Sequence, residues 1–201
     1  MIENKPILTI RNATAADSEC LTDFRISQFK TAKEFELLKP DLLSYQNGQI
    51  FIIETNKEII STMQVEKCTT RKDIEDKCSN SIPDDFKELP TLYLSKGATS
   101  KDYRNVGLNS ILRKITLETA LADPSIMSLT GFAYENAPRL NLLLKIGYSF
   151  VEANRESCKY TKPYGKMFFL KLNRSSFEQA YNYLASDVYD ITKSFSLKIE
   201  I

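Results

Sequence analysis

Between residues 91 and 122 the spacing of apolar side chains changes period once, and the change falls at a glycine-containing loop. Residues 91–98, Thr-Leu-Tyr-Leu-Ser-Lys-Gly-Ala, read as a strand. Leu108, Ile111, Leu112, Ile115 and Ala122 then recur at helical spacing. The loop over residues 99–106 carries Arg104-Asn105-Val106 and runs into Gly107. A strand that feeds a helix through such a loop aims several backbone N–H groups at one point. The helix dipole adds positive potential there, so the place suits a pyrophosphate. Gly107 lets the backbone approach an anion closely, and Arg104 can add a charge-assisted bond.

The rest of the chain alternates in the same way. Residues 7–11 read as a first strand, followed by a helix start at Thr14-Ala15-Ala16-Asp17, where Asp17 sits as the acid of a capping box. Cys20, Leu21 and Phe24 supply its apolar stripe. A second helical stretch carries Phe35, Leu37 and Leu38 before Pro40, and Asn47-Gly48 is a turn signal. Apolar runs at 50–55 and 59–65, separated by Asn56-Lys57, form a hairpin pattern. Residues 67–90 are polar and read as a long loop or insertion with room for one short helical piece, its charges solvated. Residues 127–133 form another strand. Asn136 and Pro138 open a helix, Asn136 as cap, which Gly147 closes. Residues 148–152 and 166–172 are a closing strand pair, and 175–186 a further helix. Phe195, Leu197, Ile199 and Ile201 alternate as a last strand. The order predicts an α/β fold with a mixed central sheet flanked by helices.

Composition narrows the chemistry. The 201 residues are 42% hydrophobic and 26% charged, a balance that supports a folded core. Lys+Arg is 27 against Asp+Glu 26, so no overall field favours nucleic acid or an anionic surface. Histidine is absent, which removes a His base, a Ser-His-Asp or Cys-His pair, and any His-ligated metal. Cys20, Cys68, Cys78 and Cys158 form no C-x-x-C pair and read as small apolar filler. No metal site, no membrane span and no leader are expected, and the expected compartment is the cytoplasm.

The segment Arg104-Asn105-Val106-Gly107-Leu108-Asn109 resembles the Q/R-x-x-G-x-G/A pattern of the GNAT acyltransferase superfamily, with Asn109 in place of a small residue. A second segment, from Asn136 to Tyr148, is similar to the family's N-x-x-A-x-x-L-Y-x-x-x-G-F. Asn136, Leu142, Gly147 and an aromatic Tyr148 match. Arg139 stands where Ala is usual and Leu143 where Tyr is usual. The resemblance covers residues 7–172 in element order. It implies a single GNAT-like domain over residues 1–201, with an insertion at about 67–90 and a C-terminal extension at about 173–201.

The resemblance also implies a donor, acetyl-CoA or another acyl-CoA, as co-substrate. The central sheet is implied to be splayed, with the pantetheine arm in the gap between strands 91–98 and 127–133, along Gly97, Ala98 and Thr99. Arg104 and the amides of Asn105, Val106, Gly107, Leu108 and Asn109 would hold the pyrophosphate, with Asn136 and Arg139 toward the pantetheine or thioester. The implied reaction moves an acetyl or longer acyl group to a primary amine of a small molecule or peptide. Leu143 cannot protonate the leaving thiolate as the usual Tyr would. With no His, a Glu, a Tyr or water must take the amine proton. Tyr134 and Ser95 are the first candidates for polar groups at the thioester, beside Glu135, while Tyr93 reads as core. Two other readings stand beside this one. One is a long-chain N-acyl amino acid synthase-like enzyme fed by an acyl carrier protein. The other is a catalytically degenerate acyl-CoA-binding module. The alternating tail suits an edge strand in its own sheet or a homodimer contact.

Overall fold

A computed structural model describes residues 5–29, 48–78, 82–153 and 166–201. The helical stretch expected around Phe35, Leu37 and Leu38, the turn residue Asn47, and Cys158 lie outside these residues.

The Asn56-Lys57 signal makes a two-residue turn. Both residues take left-handed backbone, φ 50° and 67°, which two-residue hairpins of the matching twist require. They join β2 (Gly48–Thr55) to β3 (Glu58–Cys68). Four consecutive residues of β2, Ile50 to Ile53, are all buried, as in a strand covered on both faces. Leu21 of α1 (Ser18–Gln28) packs on Ile50 and Ile52. The remaining strands are β1 (Ile7–Asn12), β4 (Thr91–Thr99), β5 (Ser128–Tyr134), β6 (Ser149–Glu152), β7 (Met167–Asn173) and β8 (Ser196–Glu200). The other helices are α2 (Arg71–Cys78), α3 (Leu108–Ala122), α4 (Leu140–Lys145) and α5 (Phe177–Thr192). The fold is mixed α/β, with one splayed eight-stranded sheet in the order β6-β7-β5-β4-β3-β2-β1-β8 and helices flanking it.

The chain divides into two compact units. The first comprises residues 1–65, 96–115 and 184–201. Here β1 runs antiparallel to β2, from Thr9↔Glu54 to Asn12↔Phe51. On its other side β1 runs parallel to β8, from Ile7↔Ser196 to Arg11↔Glu200. The tail therefore adds to its own sheet. The Thr14 start behaves as its sequence suggests on the acid side: Thr14 N–H donates to Asp17 Oδ2 at 2.7 Å. Asp17 also accepts both terminal nitrogens of Arg11 at 2.8 Å, and Arg11 reaches Glu54 at 2.9 Å.

The second unit comprises residues 66–95 and 116–183. Its β5 is antiparallel to β7 along its whole length, and β7 is antiparallel to β6. Within 67–90 the described residues include the short helical piece that the sequence left room for. It forms α2, and Ile74, Ile82 and Phe86 join Cys68, Tyr93 and Phe169 in one core cluster. Arg71 holds the return path by donating to the carbonyls of Pro83 (2.7 Å) and Ile82 (3.2 Å). Tyr93 is core, as expected, edge-on to Phe132. The helix expected to open at Asn136 starts later, at Leu140, with Arg139 as its cap residue. Two turns, Ala137 N–H to Tyr134 O and Leu140 N–H to Ala137 O, occupy the intervening residues, so Asn136 lies exposed in a turn and caps nothing. Gly147 closes α4 with φ 94°, the left-handed stop its position implies.

Candidate functional site

In the first unit β4 ends in a built corner. Its backbone passes through left-handed conformation at Lys96, φ 48°, before Gly97, Ala98 and Thr99. Ser61 of β3 secures that end. Its hydroxyl donates to the Ala98 carbonyl at 3.0 Å and lies 3.0 Å from Thr99 Oγ1. Ser100 N–H continues the attachment by donating to Ile60 O at 2.8 Å. A single 3-10 turn, Lys101–Tyr103, then leads to Arg104. Arg104 Nε donates to the Thr99 carbonyl and its Nη2 to Gln28 Oε1, both at 3.3 Å. The guanidinium is thereby held beside the loop that follows it.

That loop curls through two left-handed residues, Asn105 at φ 64° and Gly107 at φ 86°, and α3 begins at Leu108. Among the described residues, the backbone N–H groups of Asn105, Gly107, Leu108 and Asn109 have no hydrogen-bond partner, while Val106 sits just past a turn at Arg104-Asn105. The Gly107 carbonyl, by contrast, already accepts from Ser110 N–H at 2.8 Å and Ile111 N–H at 3.3 Å. The donors are left over and the nearest acceptor is used. Unpaired donors at the positive end of a helix are of the kind that can take an anion.

Two residues of α5 back this loop. A Cβ at position 107 would lie 2.6 Å from Ile191 Cδ1, so Gly107 is set both by its φ and by the side chain beneath it. Ser110 Oγ donates to Asp187 Oδ2 at 3.0 Å, which brings a carboxylate to the first turn of α3. The Asn109 side chain braces the same turn. Its Oδ1 accepts from Arg113 Nε at 2.7 Å, a contact that a glycine or alanine could not make. Ile191, Asp187, Ser61 and Gln28 carry no motif, and no sequence signal points to them.

In the second unit the parallel ladder of β4 with β5 stops at Leu94↔Gly131. Both strands continue, β4 to Thr99 and β5 to Tyr134. The last rung is very close. A Cβ on Gly131 would lie 2.8 Å from the Leu94 carbonyl oxygen. Beyond it β5 keeps, among the described residues, only its β7 partner, through Phe132↔Phe169 and on to Tyr134↔Met167.

No family model matches the sequence, and no curated protein matches it. Solved structures do match in three dimensions. Arabidopsis thaliana NAA60 in complex with acetyl-CoA is 13% identical, with 84% of this chain and 99% of that chain covered and a TM-score of 0.64. An acetyltransferase of the GNAT family from Streptococcus pneumoniae is 18% identical, covering 83% and 99%, with a TM-score of 0.57. Aminoglycoside acetyltransferase AAC(6')-Ib in complex with coenzyme A is 16% identical, covering 86% and 98%, also at 0.57. The chain has the GNAT acyltransferase fold.

The residues singled out from the GNAT-like motifs fall into two groups. Gly97, Ala98, Thr99 and Arg104 to Asn109 share the first unit and surround one backbone corner. Ser95, Tyr134, Asn136 and Arg139 belong to the second unit. There Tyr134 is the last residue of β5, half-buried, and packs with Phe132 against Ala153 and Met167. Arg139 Nη2 donates to the Phe132 carbonyl at 2.9 Å, so part of its fork serves the strand end. Leu143, at the position of the usual GNAT tyrosine, is fully buried and serves as core of α4. No helix among the described residues is long and apolar enough to cross a membrane.

Proposed function

We propose that this protein is an acyl-CoA-dependent N-acyltransferase that moves an acetyl or longer acyl group to a primary amine of a small molecule or peptide. The observation that carries the reading is the set of N–H groups at Asn105, Gly107, Leu108 and Asn109 that have no partner among the described residues, curled by Asn105 and Gly107 at the start of α3. It is an anion cradle with no other evident use, on a fold whose solved examples hold acetyl-CoA and coenzyme A. The pyrophosphate would take these donors, with Arg104 beside them, and the pantetheine amides would follow the backbone of Gly97, Ala98 and Thr99.

The chemistry needs little more from the protein than placement. A neutral amine attacks the thioester carbon, and the tetrahedral intermediate expels the thiolate. A thiol of pKa about 8.5 leaves without strong acid help, so the buried Leu143 does not by itself forbid transfer. Ser95 and Tyr134 remain the proposed polar groups at the thioester, with Tyr134 the first choice for returning a proton to sulfur. Asn136 and Arg139 are proposed on the donor side. With no histidine, the amine proton leaves through a carboxylate, a tyrosine or ordered water.

The test is thermal. Acetyl-CoA at a hundred times its Kd should stabilise the fold by about 2.7 kcal/mol. Comparison with free coenzyme A and a long-chain acyl-CoA then reads the acyl length. Thiol release with a panel of primary amines separates an enzyme from a module that only binds, a reading that the loss of the tyrosine at position 143 favours. Absence of any shift with all three ligands would remove the proposal, and a carrier-protein donor would then be tried.

A further inference from the structure

We infer that β8 is a self-pairing edge: two copies of this chain join antiparallel about a two-fold axis at Ile199. The inference is independent of the acyltransferase reading.

Three observations lead to it. First, β8 ends the sheet, with β1 its only strand neighbour among the described residues. The strand has no proline and no bulge, and its residues pair with β1 without a break from Ser196 to Glu200. Edge strands are ordinarily blunted by such devices, or by an unmatched lysine.

Second, the backbone parity is known. Ser196 N–H donates to Pro6 O at 3.0 Å, toward β1. A strand residue sends its N–H and C=O to the same side, and the side alternates with each residue. Ser196, Lys198 and Glu200 therefore spend their backbone groups on β1. Leu197, Ile199 and Ile201 turn theirs outward, to the open edge.

Third, the side chains match themselves in one register only. An axis through Ile199 sets Ile199 against its own copy and Leu197 against Ile201. All three are the residues with outward backbone groups, so each of these pairs exchanges two hydrogen bonds. Between them Lys198 faces Glu200 of the other copy, at the non-hydrogen-bonded positions where side chains approach most closely. Moving the axis to Lys198 or Glu200 opposes like charges. Moving it to Leu197 leaves Lys198 opposite Ser196 and Glu200 opposite Ser194, with no charge matched.

The apolar face of the strand needs such a partner. Ile199 lies beside Ile10 in the ladder, yet Ile10 is wholly buried and Ile199 is 59% exposed. Ile201 is 52% exposed on the same face. A second β8 would lay Ile199 and the Leu197–Ile201 pairs over this uncovered end of the core. Lys198 and Glu200, which pair within the strand in the single chain, would exchange that contact for one across the axis.

Sedimentation velocity at protein concentrations from about 1 to 200 µM should show a monomer–dimer equilibrium. Lys198→Glu places Glu against Glu and should weaken the dimer by at least about tenfold. The double variant Lys198→Glu with Glu200→Lys restores opposite charges and should restore the dimer. Ile199→Pro removes an N–H that β1 does not use, so it should abolish the dimer while the melting temperature of the monomer holds. A chain that stays monomeric throughout overturns the inference. So does a dimer that Lys198→Glu and Ile199→Pro leave intact, or a charge-swapped chain that stays monomeric.

Discussion

Gly107 sits directly over Ile191, so closely that a methyl group at position 107 would come within 2.6 Å of Ile191 Cδ1 and 2.9 Å of Cγ1. A bulky substitution at Gly107 is therefore no clean probe of binding, because it strains the fold first. Gly107→Ala should cost about 1–3 kcal/mol, from the positive φ and from the overlap together. In an Ile191→Ala background the same substitution should cost less, and urea denaturation of the four chains measures the difference.

Asn109→Asp separates binding from folding. The carboxylate keeps the acceptor for Arg113 and suits the first turn of a helix, so stability should hold or rise by a few tenths of a kcal/mol. An anion bound at residues 105–109 would be repelled. Affinity for coenzyme A should fall about tenfold or more, as read by calorimetry.

Asp187→Asn should act in the opposite direction. Its amide oxygen can still accept from Ser110 Oγ, while a negative charge leaves the neighbourhood of the cradle. Coenzyme A should bind about 2–5-fold more tightly at low salt, and the gain should shrink as salt is added.

Acid should test the other end of the first unit. The Arg11 guanidinium, with the Thr14 donors, holds the Asp17 carboxyl well below the usual carboxylate range. Its contribution is whole above the unfolded-state value near pH 4 and is lost as pH falls through the folded-state value. Asp17→Asn should destabilise by about 1–2 kcal/mol at pH 7, and the gap from the wild type should narrow below about pH 4. Denaturant midpoints at pH 7, 4 and 3 check both the size and the sign.

How much of this could be read in the sequence depended on how local the determining contact was. Asn56-Lys57, Asp17 and Gly147 act within a few residues of themselves, and each does what its position implies. The loop proposed to hold the pyrophosphate could be picked out because its residues are consecutive. The packing of residues 67–90 could not: Ile74, Ile82 and Phe86 are isolated apolar residues in a polar stretch, and the core they join with Cys68 and Tyr93 includes Phe169, far away in sequence. Asn136 and Pro138 have the chemistry of a helix start, but consecutive turns after Tyr134 delay the helix to Leu140. Ile191 and Asp187 shape the cradle from α5, and no spacing rule connects them to Gly107 and Ser110. Asn109 departs from the small residue of the motif for a reason visible only once Arg113 is seen one turn on.

The pairing of β1 with β8 also dictates when the molecule can finish folding. Lys5 Nζ donates to the Thr192 carbonyl across 187 positions, and the ladder from Ile7↔Ser196 onward is just as remote in sequence. On a ribosome, residues 66–183 can supply every segment of the second unit before β8 has been made, whereas the first unit stays open until its last segment, residues 184–201, emerges. Until then the edge of β1 is unpaired, and Leu8 and Ile10 wait for the final strand. Such late, non-local closure is slow, and a nascent or C-terminally clipped chain exposes its aggregation-prone edge at β1.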